Sequence, residues 1–130
     1  MQAINEEAAV VMRKLIGRLK DDHLKLDNAP GAYMPVVIEQ VMDRPGFSDV
    51  YSVAHYGEQN SDLMADPEMT FGERDGKFYP LTFRNDYLGF VQDVITNHDG
   101  HEPKVNEGQQ KDLAVFAAQW FRNIAVQQGI

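Results

Sequence analysis

The chain has 130 residues, a formal charge of −8 at pH 7 and no cysteine. The absence of cysteine excludes disulfides, thiolate metal sites and cysteine nucleophiles, and the low content of Lys and Arg disfavours binding along a nucleic-acid backbone. The length predicts a single domain over residues 1–130, and no apolar run is long enough to span a bilayer. We expect a cytoplasmic protein, since Glu6 and Glu7 come early and no apolar signal segment follows them.

The first half of the chain is predicted to form one helix and two strands. Apolar residues at helical spacing predict a helix over residues 4–24, with Asn5 as its N-cap. Runs of β-branched residues predict strands over residues 33–42 and 48–56. Pro35 has no N–H to donate, so it is expected at the start or on the edge of its strand. Residues 57–67 are predicted to form a polar loop.

The second half is predicted to continue with strands and to end in a helix. Residues 68–73 and 77–84 are predicted to pair as a hairpin around Asp75-Gly76. A further strand is predicted over 87–96, after a tight turn at Asn85-Asp86, and a polar connection over 97–108. The final helix is predicted over about 106–127, stopping at Gly129. Its apolar stripe consists of Leu113, Phe116, Ala117, Trp120, Phe121 and Ile124.

These elements predict an α+β fold. Strands that follow one another through short turns pair antiparallel, so we expect an antiparallel meander of four to five strands flanked by an N-terminal and a C-terminal helix. At least the C-terminal helix should cover one face of the sheet. Four side chains of that helix are predicted to be buried against the sheet: Leu113, Phe116, Trp120 and Phe121.

The negative charge is concentrated in the middle of the chain. Residues 31–100 hold four basic and twelve acidic side chains, whereas the two ends are balanced. This distribution is typical of a solvated acidic surface. It also leaves open a cation site, or an acidic face that meets a basic partner.

One polar cluster and one short motif are the candidates for chemistry. The cluster consists of His55, Glu58, Gln59, Asn60, Asp62, Asp66 and Glu68. Its oxygen ligands and single imidazole suit Mg²⁺, Mn²⁺ or Ca²⁺, although the spacing is not that of an EF-hand. The motif is His98, Asp99 and His101, which could bind a transition metal. The sequence contains no nucleophile elbow, phosphate-binding loop or dinucleotide fingerprint.

Three stretches carry a resemblance to a known family. They are AHYGEQNSDLMADPEMTF (54–71), YPLTFRNDYLGF (79–90) and the C-terminal QQKDLAVFAAQWFRNIAVQQGI. Together they resemble an uncharacterised family of small bacterial proteins encoded on integrative conjugative elements, plasmids and phages. The resemblance covers roughly residues 32–130, and Gly57 stands where a second tyrosine is expected. The resemblance implies an accessory role on a mobile element, and it supplies no catalytic residue.

The sequence therefore predicts a non-enzymatic accessory protein that acts by binding another protein, with modulation of the host or of a defence system as one form of that role. We expect no cofactor, no membrane association and no nucleic-acid partner, and a homodimer is left open. The alternative is a metal-dependent hydrolase or nuclease in which the central acidic cluster holds the ion and activates water.

Overall fold

The computed structural model describes residues 1–96 and 104–130. Two helices and eight strands make up this part of the chain. Their bounds, in chain order, are α1 Glu6–Ile16, β1 His23–Leu26, β2 Val36–Val41, β3 Asp49–Gln59, β4 Asp62–Arg74, β5 Lys77–Asn85, β6 Phe90–Asp93, β7 Ile95–Thr96, β8 Lys104–Val105 and α2 Glu107–Gln128.

Six strands form one antiparallel sheet in the order β1-β2-β3-β4-β5-β6, and β7 pairs separately with β8. The predicted α+β class and the antiparallel meander between two helices are confirmed. The predicted count of four to five strands is too low, because no strand is predicted before residue 33, where β1 lies. The strand predicted over 87–96 is in fact β6 and β7, and the preceding turn runs over residues 86–89 rather than 85–86.

Helix α1 ends at Ile16, eight residues before the end of the predicted span, because a turn follows it. Asn5 is the predicted N-cap and accepts a hydrogen bond from the Ala8 amide at 2.8 Å. Asp21 and Asp22 then both adopt positive φ, at 51° and 63°. Such a pair of residues matches the twist of an antiparallel hairpin, and it directs the chain into β1 rather than into further helical turns.

The predicted loop over 57–67 is wrong, since these residues extend β3 and begin β4. Asn60 and Ser61 form the hairpin turn with positive φ, and Gln59 pairs with Asp62 beside them. Further along β4, Asp66 and Pro67 together lie opposite the single residue His55, which is a β-bulge. The bulge accommodates a proline that cannot donate to the ladder.

One face of the sheet, here called the inner face, packs against α2. Tyr51, Val53 and His55 of β3 lie on it, and Phe71 meets Phe121 of α2 with ring centroids 5.4 Å apart. Alternation along the strands puts the neighbouring residues on the opposite, outer face.

The C-terminal helix is confirmed, with Gly129 in the left-handed conformation at its end. Leu113, Trp120 and Phe121 are buried as predicted. The prediction for Phe116 is wrong, because its side chain is 40% exposed. It lies at the rim of the α2 stripe and packs edge-on against Phe83, with ring centroids 5.3 Å apart.

Candidate functional site

The structure distributes the seven residues of the central cluster over three locations. Four of them are exposed at or near the tip of the β3–β4 hairpin. These are Glu58, Gln59, Asn60 and Asp62. Their side chains are solvated, as expected for polar residues at a hairpin tip.

Glu68 lies on the outer face and contacts a tyrosine there. It pairs across the ladder with Ala54, and its carboxylate accepts a hydrogen bond from the Tyr56 hydroxyl at 3.2 Å. Burial of the phenol, followed by the negative charge of Glu68, raises the pKa of Tyr56 to about 12. The contact therefore keeps Tyr56 protonated. It also holds the Glu68 carboxylate on the outer face, apart from the other residues of the cluster.

His55 and Asp66 are the two members that the fold brings together. The β-bulge places Asp66 and Pro67 directly across the ladder from His55. All three residues line one cavity of about 440 Å³ beside α2. Bulges often occur where a strand turns a side chain toward a site.

The His55 imidazole is fixed by the one tryptophan of the chain. Trp120 Nε1 donates to His55 Nδ1 at 3.3 Å, and the two rings meet edge to face with centroids 5.5 Å apart. Burial lowers the pKa of His55, and the charge of Asp66 opposes that shift only in part. The ring is therefore neutral at pH 7, and because Nδ1 accepts, Nε2 carries the proton.

His55 Nε2 is buried and has no hydrogen-bond partner in the described part of the protein. The side chain as a whole is 6% exposed. Most buried polar groups in native proteins are hydrogen-bonded, so an exception calls for an explanation.

Asp66 is held in place from the β5–β6 turn. Its Oδ1 accepts from Asn85 Nδ2 at 3.1 Å. The next carboxylate, Asp86, accepts from the Ala65 amide at 2.7 Å and from Arg84 Nε at 2.6 Å. This network fixes the backbone at Ala65, directly before Asp66. The second carboxylate oxygen of Asp66 makes no hydrogen bond to a described residue.

The remaining wall of the cavity is formed by the segment before β2 and by α2. In addition to His55, Asp66 and Pro67, the lining residues are Ala32, Tyr33, Met34, Trp120, Asn123 and Gln127. Buried Gln128 holds both ends of that segment: its Oε1 accepts from the Asn28 amide at 2.7 Å, and its Nε2 donates to the Met34 carbonyl at 3.3 Å.

A second buried glutamine anchors the other end of α2. Gln110 Oε1 accepts from the Gln2 amide at 2.6 Å, and Gln110 Nε2 donates to the Pro80 carbonyl at 3.0 Å. Sequence reasoning missed both glutamines. The signal was their position, since Gln110 precedes Leu113 by three residues and Gln128 follows Ile124 by four, which continues the buried stripe.

An apolar surface, here called the apolar edge, lies where β5, β6 and α2 meet. It consists of Phe83, Phe90 and Phe116, and Leu88 lies in the turn that adjoins it. Phe83 contacts both Phe90 and Phe116 edge-on, with ring centroids 6.0 and 5.3 Å apart. Phe90 is 45% exposed, and Leu88 in the adjoining turn is 77% exposed. Trp120 packs on Phe116 at 6.0 Å, so the apolar edge adjoins the cavity.

Metal ligands do not converge in the described residues. Within 1–96 and 104–130, no three His, Asp or Glu side chains are placed so that they could hold an ion together. His98, Asp99 and His101 lie outside the described residues. No helix in the described part of the chain is long and apolar enough to cross a membrane.

A family model for a domain of unknown function, DUF6908, matches residues 3–130. The chain belongs to the DUF6908 family. This match confirms the expected membership of an uncharacterised family, and it extends over the N-terminal helix. No curated protein and no solved structure matches the chain. DUF6908 carries no assigned reaction, so function has to be argued from the geometry of this member.

The glycine at the position where the resemblance led us to expect a tyrosine has a structural reason in this DUF6908 chain. The Tyr87 phenol lies directly against Gly57, and a Cβ at residue 57 would overlap the Tyr87 hydroxyl. Tyr87 of the β5–β6 turn thus occupies the space that a larger side chain at 57 would need.

Proposed function

We propose that this protein is a non-enzymatic accessory protein of a bacterial mobile genetic element, and that it acts in the cytoplasm by binding another protein. The resemblance to element-encoded proteins supports the setting. A host protein, a component of a defence system or the machinery of the element itself would be the partner.

The observation that carries this proposal is the apolar edge. Exposed apolar groups that adjoin one another mark interaction surfaces more often than single exposed residues do, and aromatic side chains are enriched at protein interfaces. Phe90 and Phe116 expose close to half of their surface on either side of Phe83. A partner that covers Phe90 and Phe116 would bury their exposed aromatic surface. Both rings are already held in place by their contacts with Phe83.

The charge distribution favours a partner with a basic rim. Strands β2 to β6 lie within residues 31–100, which carry the net charge of −8. Complementary charge around an apolar contact mainly raises the association rate and the selectivity. We therefore expect binding to weaken as the salt concentration rises.

The test is affinity capture from the native host, with mass spectrometry of the bound proteins and two matched variants. Leu88 and Val126 are both 77% exposed, and Val126 lies on α2 outside the apolar edge. We expect Leu88→Asp to lose the partner that the wild type and Val126→Asp retain. Equal capture by all three proteins would contradict binding through the apolar edge.

A second copy of the chain is the other possible occupant, and light scattering after size-exclusion chromatography distinguishes it. A dimer that Leu88→Asp dissociates and Val126→Asp preserves would assign the apolar edge to self-association. The alternative function, a metal-dependent hydrolase or nuclease, would need ligands that the described residues do not bring together.

A further inference from the structure

Strand β6 is the last strand of the sheet, and one side of its backbone pairs with no strand in the described part of the chain. Val94, directly after β6, donates its amide to the Leu81 carbonyl at 2.9 Å and so belongs to a hydrogen-bonded pair. Hydrogen-bonded and non-hydrogen-bonded pairs alternate along an antiparallel ladder. Val91 and Asp93 therefore point their N–H and C=O groups away from β5. These groups form what is here called the free edge of β6.

The other edges of the sheet are protected. In β1, His23 exchanges two backbone hydrogen bonds with Lys20, at 3.0 and 3.1 Å, and Lys25 adds a charge to the same strand. Beyond the end of β6, the N-terminal segment covers β5, since the Ile4 amide donates to the Phe78 carbonyl at 2.9 Å. Covering segments and lysines are common means of blocking edge strands. The four residues of β6 include no Lys or Arg.

Exposed apolar side chains flank the free edge on both faces of the sheet. Phe90 lies on the inner face, where it contacts Phe83 and belongs to the apolar edge. Val91 pairs with Arg84 on the outer face and is 73% exposed. A strand placed against β6 would bury apolar surface on both faces and would also form main-chain hydrogen bonds. In strand addition, main-chain hydrogen bonds provide affinity and alternate side chains provide specificity.

Charge selects the kind of segment that fits. Residues 31–100, which contain β6, carry the net charge of −8. Asp93 at the end of β6 is half-exposed, with Arg44 at 3.4 Å. Lys and Arg on either side of an incoming strand would be attracted to this acidic region, whereas a second copy of the chain would bring the same negative charge and be repelled.

We propose that the protein partner binds by strand addition. An extended segment of the partner, with apolar residues at its centre and Lys or Arg on either side, pairs with the free edge of β6 as an additional strand of the sheet. Its inward side chains cover Phe90, and its outward side chains contact Val91. This inference rests on the proposed function and specifies which part of the partner is bound.

NMR titration with a synthetic peptide tests the proposal without the natural partner. The probe is acetyl-Lys-Lys-Val-Phe-Val-Lys-Lys-amide. We expect saturable binding at millimolar concentration or below, with the exchange of the Val91 and Asp93 amides slowed more than that of other amides. The same peptide N-methylated at its three central residues cannot donate to a ladder and should bind at least about tenfold more weakly. The peptide with Glu in place of each Lys should also bind more weakly.

Two proline substitutions on opposite edges of the sheet assign the site. Val91→Pro removes an amide that points away from β5, so it leaves the ladder between β5 and β6 intact. Lys25→Pro is the matched control, because the Gln40 amide donates to the Asp22 carbonyl at 3.0 Å and the same alternation points the Lys25 amide away from β2. We expect Val91→Pro to bind the basic peptide at least about tenfold more weakly, and Lys25→Pro to bind it like the wild type.

A second variant covers the case in which Val91→Pro does not fold. Val91→Lys keeps the amide, repels the basic peptide and should bind it more weakly than the wild type does. Three results would overturn strand addition at β6. They are no binding of the basic peptide at millimolar concentration, equal binding of the N-methylated peptide, and undiminished binding by both Val91 variants.

Two further outcomes separate this inference from the proposed function. A dimer in light scattering that Val91→Pro dissociates would assign the free edge to a second copy and overturn the inference. Capture of a partner that Leu88→Asp loses, together with no peptide binding at β6, would refute strand addition and leave the proposed function standing. Peptide binding at β6 with equal capture by the wild type and Leu88→Asp would support strand addition and contradict the apolar edge as the partner site.

Discussion

Replacing Trp120 by alanine should destabilise the protein more than any change at the exposed rim of α2. The side chain is 6% exposed and contacts the rings of His55, Phe116 and Phe121 at centroid distances of 5.5, 6.0 and 5.7 Å. Large-to-small changes at such sites cost about 3–5 kcal/mol. The loss of the indole N–H also leaves His55 Nδ1 buried without a donor, which places the expected cost at about 4–5 kcal/mol.

Phe116→Ala is the matched control, because it removes an aromatic ring one turn away. Full burial of a phenylalanine contributes about 1.5–3 kcal/mol, and Phe116 is 40% exposed, so its removal should cost about 1–2 kcal/mol. Urea denaturation followed by far-UV circular dichroism measures both variants. A loss below about 1 kcal/mol for Trp120→Ala, or an equal loss for Phe116→Ala, would refute the packing described here.

Three further predictions concern protonation, close packing and metal ions. Because burial lowers the pKa of folded His55 below its ordinary value of 6.5, the unfolded chain binds the proton first. Stability should therefore fall as the pH drops below about 6.5, by at most about 1.4 kcal/mol per pH unit from this residue, and urea titrations should find that component missing in His55→Asn. Gly72→Ala should cost about 1–3 kcal/mol, since its Cβ would lie 2.5 Å from the Phe47 ring. Gly108→Ala in α2 should not destabilise in the same denaturation assay, because its Cβ would lie at an ordinary contact distance of 3.7 Å from Asn106 Oδ1. Mn²⁺ and Mg²⁺ at millimolar concentration should raise the melting temperature no more than NaCl of equal ionic strength; a specific rise of several degrees that Asp62→Ala abolishes would favour the metal-dependent enzyme instead.

Elements with local signals could be predicted from the sequence. Helix α2 follows from a stripe of apolar residues at spacings of three and four and from Gly129 at its end. The β4–β5 hairpin follows from Asp75-Gly76, both of which adopt the positive φ that this turn requires. In each case the residues that decide the structure are neighbours in the chain, so no knowledge of distant contacts is needed.

Elements that depend on pairing with distant residues were missed. Residues 23 and 24 lie at the end of the predicted helix 4–24. Residues 23–26 form β1 because β2 offers a partner for the ladder, with Leu26 beside Val36. Residues 57–67 are predicted to form a loop that ends at Pro67. Because Pro67 has no N–H to donate to a ladder, it fits in β4 only through the bulge opposite His55. The sequence predicts the partner strand within residues 33–42, but neither its pairing with β1 nor the bulge has a local signature in the sequence.

The same limit applies to the candidate site. The seven residues of the polar cluster are close along the chain, but the fold does not bring all of them together in space. In a strand, adjacent side chains point to opposite faces, so Glu68 lies on the outer face while Met69 next to it is buried on the inner face. His55 and Asp66 share a cavity because the hairpin folds β4 back along β3 and the bulge shifts the register between them. Trp120, which fixes the imidazole, is 65 residues away in the chain. The sequence shows that His55 and Asp66 are present, but only the fold separates these two from the other five residues of the cluster. The fold also brings Trp120 to His55 Nδ1, which leaves His55 Nε2–H without a partner among the described residues.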